Sequence, residues 1–154
     1  MNKEKIKIGI LGCGRVCEHY IQKIFIPERV GNLYEIIAVC DIDIKKSTHV
    51  ANIFSCKAYN SIQEFVQQKN MEVVVVLTRS GQHYEHSKIC LSNHLNVIVE
   101  KPLALRIDHA QELINISADN GKFCASIFQN RLNPAVIATK SAFEKKRFGN
   151  LVSV

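Results

Sequence analysis

Short apolar runs alternate with amphipathic stretches along most of the chain. The clearest run is residues 73–77, where four valines and a leucine follow one another without alternation, which indicates a strand covered on both faces. The stretches between the runs space their apolar residues as an amphipathic helix does. The pattern predicts strands at 6–11, 35–40, 73–77, 96–99 and 123–128, and helices at 16–25, 45–54, 61–69, 82–92 and 107–119.

Strands therefore alternate with helices, and the connections between them are short. This order predicts an α/β fold with a doubly wound parallel sheet and right-handed crossovers. Polar residues, glycine and proline mark where the predicted elements end. These signals are the capping-box pair Ser61 and Glu64, Pro27, the turn Gly31–Asn32 and the helix stop Asn120–Gly121.

The composition is that of an ordinary globular protein, with 154 residues, 47% of them hydrophobic and 22% charged. No apolar run approaches the roughly 18 residues of a membrane span, and no signal-peptide core follows the polar start. We therefore expect a cytoplasmic protein with no membrane partner. The net charge of +6 comes from separate short groups of lysine and arginine without interleaved aromatic residues, which argues against nucleic acid as a partner.

Six scattered cysteines form no Cys-x-x-Cys pair, and most lie in apolar segments. This pattern predicts reduced structural thiols rather than disulfides. Cys13 and Cys17 could meet across a helical turn, but they lack two further ligands at metal spacing, so we expect no metal site.

A glycine turn follows the first predicted strand and precedes the first predicted helix. In Gly12-x-Gly14-x-x-Cys17, the first glycine permits a tight turn, and the second lets the backbone approach a pyrophosphate at the start of the helix. Cys17 replaces the usual glycine or alanine but is small enough to keep helix and strand close. The pattern predicts a dinucleotide-binding turn, and a purely structural turn is the alternative.

Asp41 ends the second predicted strand. A carboxylate there can accept hydrogen bonds from the adenosine ribose and would repel a 2′-phosphate, which favours NAD over NADP. The offset from Gly14 is 41 − 14 = 27 residues, longer than the usual spacing of about 20, and the extra residues fit in the loop 27–33. The alternative is a surface aspartate in a turn.

Polar residues also follow the central predicted strand, as Thr-Arg-Ser-Gly-Gln-His at 78–83. Ligands bind beyond the carboxyl ends of strands in an open parallel sheet, so we expect this loop to lie beside the cofactor. The hydroxyl groups and the imidazole could contact a ribose. For His83, a hydrogen bond at the start of a helix is the alternative.

The apolar strand 97–99 ends abruptly in Glu100-Lys101-Pro102. Lys101 could polarise a reacting oxygen or help to relay its proton, and Glu100 could bind ribose hydroxyls or orient the lysine. Pro102 stiffens the turn. A surface salt bridge is the alternative.

Together these motifs resemble the family of glucose-fructose oxidoreductase, inositol dehydrogenase and MocA. The resemblance covers nearly the whole chain, and its specific part is the Glu-Lys-Pro strand end at this distance from the glycine turn. It implies a Rossmann domain followed by an α/β domain, NAD(P)-dependent oxidation of sugars or cyclitols, and a homo-oligomer. It also implies that Lys101 is catalytic and that the Lys101–Pro102 bond is cis. The segments that carry it are 8–16, 38–43, 78–83, 97–104 and 129–134.

Within the family, the Ser-Gly-x-His loop and the segments 129–131 and 146–149 are similar to bacterial enzymes that oxidise the 3-hydroxyl of UDP-N-acetylglucosaminuronate. Arg79 and Arg106 depart from the family pattern, where proline and threonine are common. Motifs and resemblance together imply a cofactor site of Gly12, Gly14, Arg15, Val16, Asp41, Thr78, Ser80, His83, Glu100, Lys101 and Gln129, and a substrate site of Lys101, Asn130 and Arg131.

The alternation changes after residue 128, where a junction leads to a helix at 135–146, a turn at Gly149–Asn150 and an apolar strand that begins at 151–154. We expect residues 1–128 to form the Rossmann domain, and 129–154 to be the junction helix and first strand of a C-terminal domain for substrate binding and oligomerisation. The chain would then be the cofactor-binding part of an NAD-dependent sugar or nucleotide-sugar dehydrogenase. Alternatives are a cyclitol dehydrogenase and a non-catalytic dinucleotide-sensing or scaffold module. A methyltransferase would leave the Glu-Lys-Pro strand end unexplained.

Overall fold

The computed structural model describes residues 4–25 and 33–150. These residues form six strands and six α-helices, with short 3₁₀ helices at Ser80–Gln82 and Gln129–Leu132. The strands are β1 Ile6–Leu11, β2 Tyr34–Cys40, β3 Lys57–Tyr59, β4 Val73–Val76, β5 Asn96–Val99 and β6 Cys124–Ser126. The helices are α1 Arg15–Lys23, α2 Ile44–Phe54, α3 Ile62–Phe65, α4 His83–Ser92, α5 Ile107–Asp119 and α6 Pro134–Glu144.

The strands make one parallel sheet in the order β3-β2-β1-β4-β5-β6, which confirms the predicted doubly wound sheet. The polar residues that follow the strands meet at one edge of the sheet, which we call the carboxyl edge. The connections run in opposite directions from β1 and from β4, and ligands bind at such a switch point. The last residues of the strands are paired in one row: Tyr59, Cys40, Leu11, Val76, Val99 and Ser126.

Helices cover both faces of the sheet. Side chains of α1 and α2 pack with Val73 and Val75 in one core, and side chains of α3, α4 and α5 pack with Val74 and Val76 in the other. Successive residues of a strand point to opposite faces, so a strand covered on both sides needs an unbroken apolar run. Burial of each such side chain contributes roughly 1.5–3 kcal/mol.

Two predictions near the third strand were wrong. The pattern gave no strand at β3, and the helix predicted over 61–69 is only the short α3. The predicted capping box is absent, because the Ser61 hydroxyl contacts the Gln63 side chain instead of a backbone N–H. After α3 the amides of Gln67 and Gln68 bond three residues back rather than four, and the chain turns at Asn70, where φ is 65°. This departure from the helical path lets Met71 reach the core.

The other predicted elements are present with smaller shifts of their ends. β5 and α5 have the predicted bounds, and Gly121, with φ of 60°, follows α5 as the predicted stop. β6 is shorter than predicted, with three residues. The predictions at Pro27, Gly31–Asn32 and 151–154 lie outside the described residues. No helix in the described ranges is long and apolar enough to cross a membrane.

Candidate functional site

The glycine turn at the end of β1 requires glycine at its first position. Gly12 has a φ of +100°, and a Cβ there would lie 2.8 Å from the backbone of both Leu77 and Thr78, which follow β4. Its N–H donates to the carbonyl of Cys40 at 2.8 Å, so the turn is also tied to β2. Only a residue without a side chain fits this conformation between two strand ends.

Gly14 is under no such constraint from the protein. It is the N-cap of α1, its φ is −92°, and it offers no side chain to the free N–H groups of the first helical turn. A Cβ at this position would meet no protein atom within 4 Å. Packing does not require glycine here, whereas the close approach of an anionic ligand to the helix start would. Cys17, the third residue of the motif, is fully buried where α1 packs on the sheet.

Asp41 follows β2 and is fixed by backbone hydrogen bonds. The N–H of Cys13 donates to its Oδ2 at 2.8 Å, and the N–H of Asp43 donates to its Oδ1 at 2.9 Å. The carboxylate thus joins the glycine turn to the start of α2. Each carboxylate oxygen has a further lone pair, so both can still accept a hydrogen bond from a ribose hydroxyl.

A cleft of about 1170 Å³ lies along the carboxyl edge, between the glycine turn and the loop after β4. Its lining contains three cations, Arg15, Lys46 and Arg79, which would offset the charge of a pyrophosphate. Open backbone at Gly14, a carboxylate for ribose and these cations are the groups that a dinucleotide needs. The predicted cofactor residues that line the cleft are Gly12, Gly14, Arg15, Val16, Asp41, Thr78 and Ser80.

His83 does not line the cleft, and its contact with the cofactor stays a prediction. The side chain is 1% exposed, with Nδ1 at 2.7 Å from the Pro102 carbonyl oxygen and Nε2 at 3.0 Å from the Thr78 carbonyl oxygen. Both ring nitrogens are therefore occupied by backbone. His86, one helical turn later, does line the cleft, and its Nδ1 lies 3.0 Å from the Thr78 hydroxyl. Burial lowers the pKa of His86, as does the neighbouring His83, which favours the neutral ring.

The Glu-Lys-Pro turn follows β5, the strand beside β4. Tyr20 donates its hydroxyl to Glu100 Oε1 at 2.6 Å, and the Lys101 N–H donates to Glu100 Oε2 at 3.0 Å. Glu100 thus holds the backbone of Lys101 and not its ammonium group, and neither residue lines the cleft. The Lys101 side chain is exposed and makes no hydrogen bond or ion pair within the described residues. The Lys101–Pro102 bond is cis, as the resemblance implied.

The predicted residues after β6 lie apart from the cleft. Gln129, Asn130 and Arg131 belong to an exposed 3₁₀ helix, and none of them lines the cleft. The Arg131 guanidinium lies over the ring of Phe128 at 5.5 Å. These side chains are open to solvent at the β6 end of the carboxyl edge.

The six cysteines are free thiols, and four of them are buried. Burial raises the pKa of Cys40 and Cys90 to about 12, and that of Cys56 and Cys124 to about 11. The pKa of Cys13 is raised by a hydrogen bond with Cys17 and by burial. These five thiols therefore stay protonated at neutral pH and are poor nucleophiles. The described part of the chain holds no group of three residues that could bind a metal ion.

Several cleft residues were missed from the sequence. Lys46 and residues 60–63 line the cleft, the last because β3 ends at Tyr59 and delivers them to the carboxyl edge. Arg79 also lines the cleft, within the loop 78–83 that was expected beside the cofactor. A short turn-rich stretch, Asn-Ser, after Tyr59 was the available signal. Tyr20 lies within the helix predicted over 16–25, and its hydroxyl partner had no local signal.

A protein-family model, described as an oxidoreductase family with an NAD-binding Rossmann fold, matches residues 6–128. Among curated relatives, trans-1,2-dihydrobenzene-1,2-diol dehydrogenase of Xenopus laevis is 27% identical over 146 residues, covering 94% of this chain and 44% of the relative. Inositol 2-dehydrogenase of Salmonella typhimurium is 25% identical over 152 residues, covering 97% and 44%. The chain thus spans less than half the length of the curated relatives that it matches.

Solved structures give a similar result. The WlbA dehydrogenase of Chromobacterium violaceum, crystallised with NADH and UDP-GlcNAcA, superposes with a TM-score of 0.87 at 28% identity, covering 97% of this chain and 42% of that one. The WlbA dehydrogenase of Bordetella pertussis, also with NADH and UDP-GlcNAcA, has a TM-score of 0.85 at 26% identity, covering 94% and 43%.

Proposed function

This chain belongs to the glucose-fructose oxidoreductase, inositol dehydrogenase and MocA family of oxidoreductases with an NAD-binding Rossmann fold, and from that premise we propose that it is the cofactor-binding part of an NAD-dependent dehydrogenase. The reaction is hydride transfer between nicotinamide and the hydroxyl-bearing carbon of a sugar or nucleotide sugar. One observation carries the proposal: the strand ends stand in one row, so the glycine turn, Asp41, Thr78 and Lys101 all follow the same edge of the sheet.

Different residues of the cleft would hold different parts of the dinucleotide. The turn of Gly12 and Gly14 and the free N–H groups of α1 would receive the pyrophosphate, assisted by the cation of Arg15. Asp41 would accept the adenosine ribose hydroxyls, and its charge would disfavour a 2′-phosphate. Thr78 and Ser80 would border the path towards β5. The nicotinamide supplies the hydride acceptor when bound.

Lys101 would act at the reacting oxygen. Its ammonium group has no partner among the described residues, and it follows the strand beside β4, next to the proposed cofactor path. A free ammonium can donate a hydrogen bond to a hydroxyl or carbonyl oxygen and can help to move its proton. Glu100, held by Tyr20 and by the Lys101 backbone, would support this residue more than it would bind ribose.

A nucleotide-sugar uronate is the substrate class that we propose first. Both WlbA neighbours were crystallised with UDP-GlcNAcA, and both are at least 25% identical to this chain. The exposed Asn130 and Arg131 would offer an amide and a cation to a carboxylate or a diphosphate. The inositol 2-dehydrogenase relative favours a cyclitol as the second candidate.

The proposed function extends to the domain division, the oligomeric state and the compartment of the whole protein. We propose that residues 1–128 form the Rossmann domain and that 129–154 begin a substrate and oligomerisation domain, consistent with exposure of most of α6. The whole protein would be a homo-oligomer, which light scattering would test. Free thiols suit the reducing cytoplasm.

Titration of the chain with NADH and NADPH, followed by fluorescence, tests the cofactor proposal. We expect tighter binding of NADH, and a reduced preference in Asp41→Ser. Asp43→Ser is the matched control because it removes the same charge from the same loop and keeps a residue able to cap α2. Tighter NADPH binding by the wild-type chain, or equal effects of the two substitutions, would contradict the role of Asp41. Absence of binding to either nucleotide would refute the proposed function.

A further inference from the structure

We propose that Tyr20 and His83 are positioning residues for Lys101. Tyr20 on α1 fixes the preceding residue, Glu100, and His83 on α4, on the other face of the sheet, fixes the following residue, Pro102. The catalytic part of this inference rests on the proposed function. Its structural part, the fixing of the Lys101 backbone, does not.

Tyr20 acts from α1, in the layer that covers one face of the sheet. Its side chain is 5% exposed, and its hydroxyl donates to Glu100 Oε1 at 2.6 Å. Burial and the contact with Glu100 raise the pKa of Tyr20, so the hydroxyl stays protonated and remains a donor. The other oxygen of Glu100 accepts the N–H of Lys101 at 3.0 Å. The tyrosine thus orients a carboxylate that in turn holds the lysine backbone.

His83 acts from the opposite layer, at the first residue of α4. Its Nδ1 lies 2.7 Å from the carbonyl oxygen of Pro102, and its Nε2 lies 3.0 Å from the carbonyl oxygen of Thr78. Carbonyl oxygens only accept, so each contact is a hydrogen bond when the ring nitrogen facing it carries a proton. A neutral ring carries one N–H and donates to one of the two carbonyl oxygens, and the shorter contact assigns that proton to Nδ1 and the hydrogen bond to Pro102.

Lys101 lies between these two anchored neighbours, while its own ammonium group has no partner in the part of the chain that the structure describes. A lysine side chain has many rotamers, and the position of its backbone is what the protein can fix without occupying the ammonium. Displacement of a catalytic group by about 1 Å can lower the rate by about 100-fold. Tyr20 and His83 thus restrain the backbone on either side of Lys101, whose exposed side chain is not restrained by packing.

The same network reaches the cofactor cleft. The carbonyl of Thr78 contacts His83, and its hydroxyl contacts His86, which lines the cleft. The loop after β4 is therefore shared between the proposed cofactor seat and the Lys101 turn. A shift of Pro102 would therefore reach this loop through the ring of His83.

Tyr20→Phe tests the first anchor, with Tyr84→Phe as its matched control. Tyr84 also donates its hydroxyl to a carboxylate at 2.6 Å, that of Glu112 on α5, and within the described residues neither side chain makes a hydrogen bond to residues 100–102. Each substitution removes one hydroxyl and leaves the ring. We expect hydrogen exchange of the Lys101 amide, measured by NMR on the chain, to accelerate about tenfold or more in Tyr20→Phe and to stay unchanged in Tyr84→Phe. Equal exchange in wild type and Tyr20→Phe would overturn the first anchor.

His83→Asn and His83→Gln test the second anchor. The amide nitrogen of asparagine is as many bonds from Cα as Nδ1 of histidine, and that of glutamine as many as Nε2. Asparagine can therefore keep the Pro102 contact, whereas glutamine can keep only the Thr78 contact. We expect slower Lys101 amide exchange in His83→Asn than in His83→Gln at similar thermal stability. Equal exchange in the two variants would overturn the second anchor.

Kinetics of the whole enzyme with NAD and a UDP-sugar uronate give the catalytic readout. We expect kcat to fall about 10- to 100-fold in Tyr20→Phe and in His83→Gln, with KM changed less than about twofold and with partial recovery in His83→Asn. An unchanged kcat in Tyr20→Phe and His83→Gln would overturn the positioning role. If the wild-type enzyme transfers no hydride with any sugar or cyclitol, the proposed function fails, and amide exchange alone then decides whether the two residues fix Lys101.

Discussion

The two glycines of the turn should respond differently to substitution by alanine, Gly12 by a loss of stability and Gly14 by a loss of NADH binding. In Gly12→Ala, the alanine would have to adopt a φ of +100°, and its Cβ would lie 2.8 Å from the backbone of Leu77 and Thr78. Strain of the backbone costs roughly 1–3 kcal/mol, and overpacking costs roughly 1–3 kcal/mol. The sum is about 2–6 kcal/mol, a large part of the roughly 5–15 kcal/mol that stabilises a typical domain. We expect a lower urea midpoint by circular dichroism, with the slope unchanged.

Gly14→Ala is the matched control for stability and the test for binding. Its Cβ would meet no protein atom within 4 Å and its φ is ordinary, so the loss of glycine at the N-cap and the lower entropy of the unfolded chain should nearly offset each other, and the free energy of unfolding should change by about 1 kcal/mol or less. Binding of NADH should weaken about tenfold or more, or about 1.4 kcal/mol, because the methyl group stands where the pyrophosphate would approach. The reasoning is refuted if Gly14→Ala binds NADH like wild type, or if Gly12→Ala is as stable as Gly14→Ala.

Three further predictions concern the fold. Leu113→Ala should cost roughly 2–5 kcal/mol because its side chain, on α5, is fully buried in the core, while Ile114→Ala, at a 52% exposed position, should cost little; equal urea midpoints would contradict this. Lys88, and then Tyr84, lower the pKa of Glu112. Stability from this pair is therefore present above the ordinary glutamate pKa and is lost as pH falls through the lowered value, so melting temperatures of wild type and Lys88→Met should converge at low pH. Cys40 and Cys90, with pKa values raised to about 12, should react with a disulfide reagent much more slowly in native protein than in urea; similar rates would show that they are accessible.

Much of the fold follows from local rules that the sequence displays. The valine run of β4 needs apolar cover on both faces, and the stop at Asn120–Gly121 ends α5 where predicted. β3 could not be found this way, because Lys57–Tyr59 carries no apolar run and becomes a strand only by pairing with β2. α3 ends early because Met71, beyond the helix, belongs to the core. Both failures come from contacts between distant segments.

The site shows the same division. The strand-end rule located Gly12, Asp41, Thr78 and Lys101, because parallel strands deliver their last residues to one edge. The strand-end rule could not identify the hydrogen-bond partners of these residues. Tyr20 and Glu100 are 80 residues apart, and their contact depends on how α1 packs over the end of β5. The ring of His83, at the start of a helix, faces two carbonyls inside the protein, which resembles the alternative of a helix-start hydrogen bond more than a contact with ribose, and the identity of its partners had no local signal.

Hydride transfer by Lys101→Met in the whole enzyme tests the central claim most directly. Methionine keeps the length and apolar stem of the lysine and removes the ammonium group. We predict that NADH binding is retained while NAD reduction with a UDP-sugar uronate falls by at least about 100-fold. Turnover equal to that of wild type, with cofactor binding intact, would contradict the account and remove Lys101 from the mechanism.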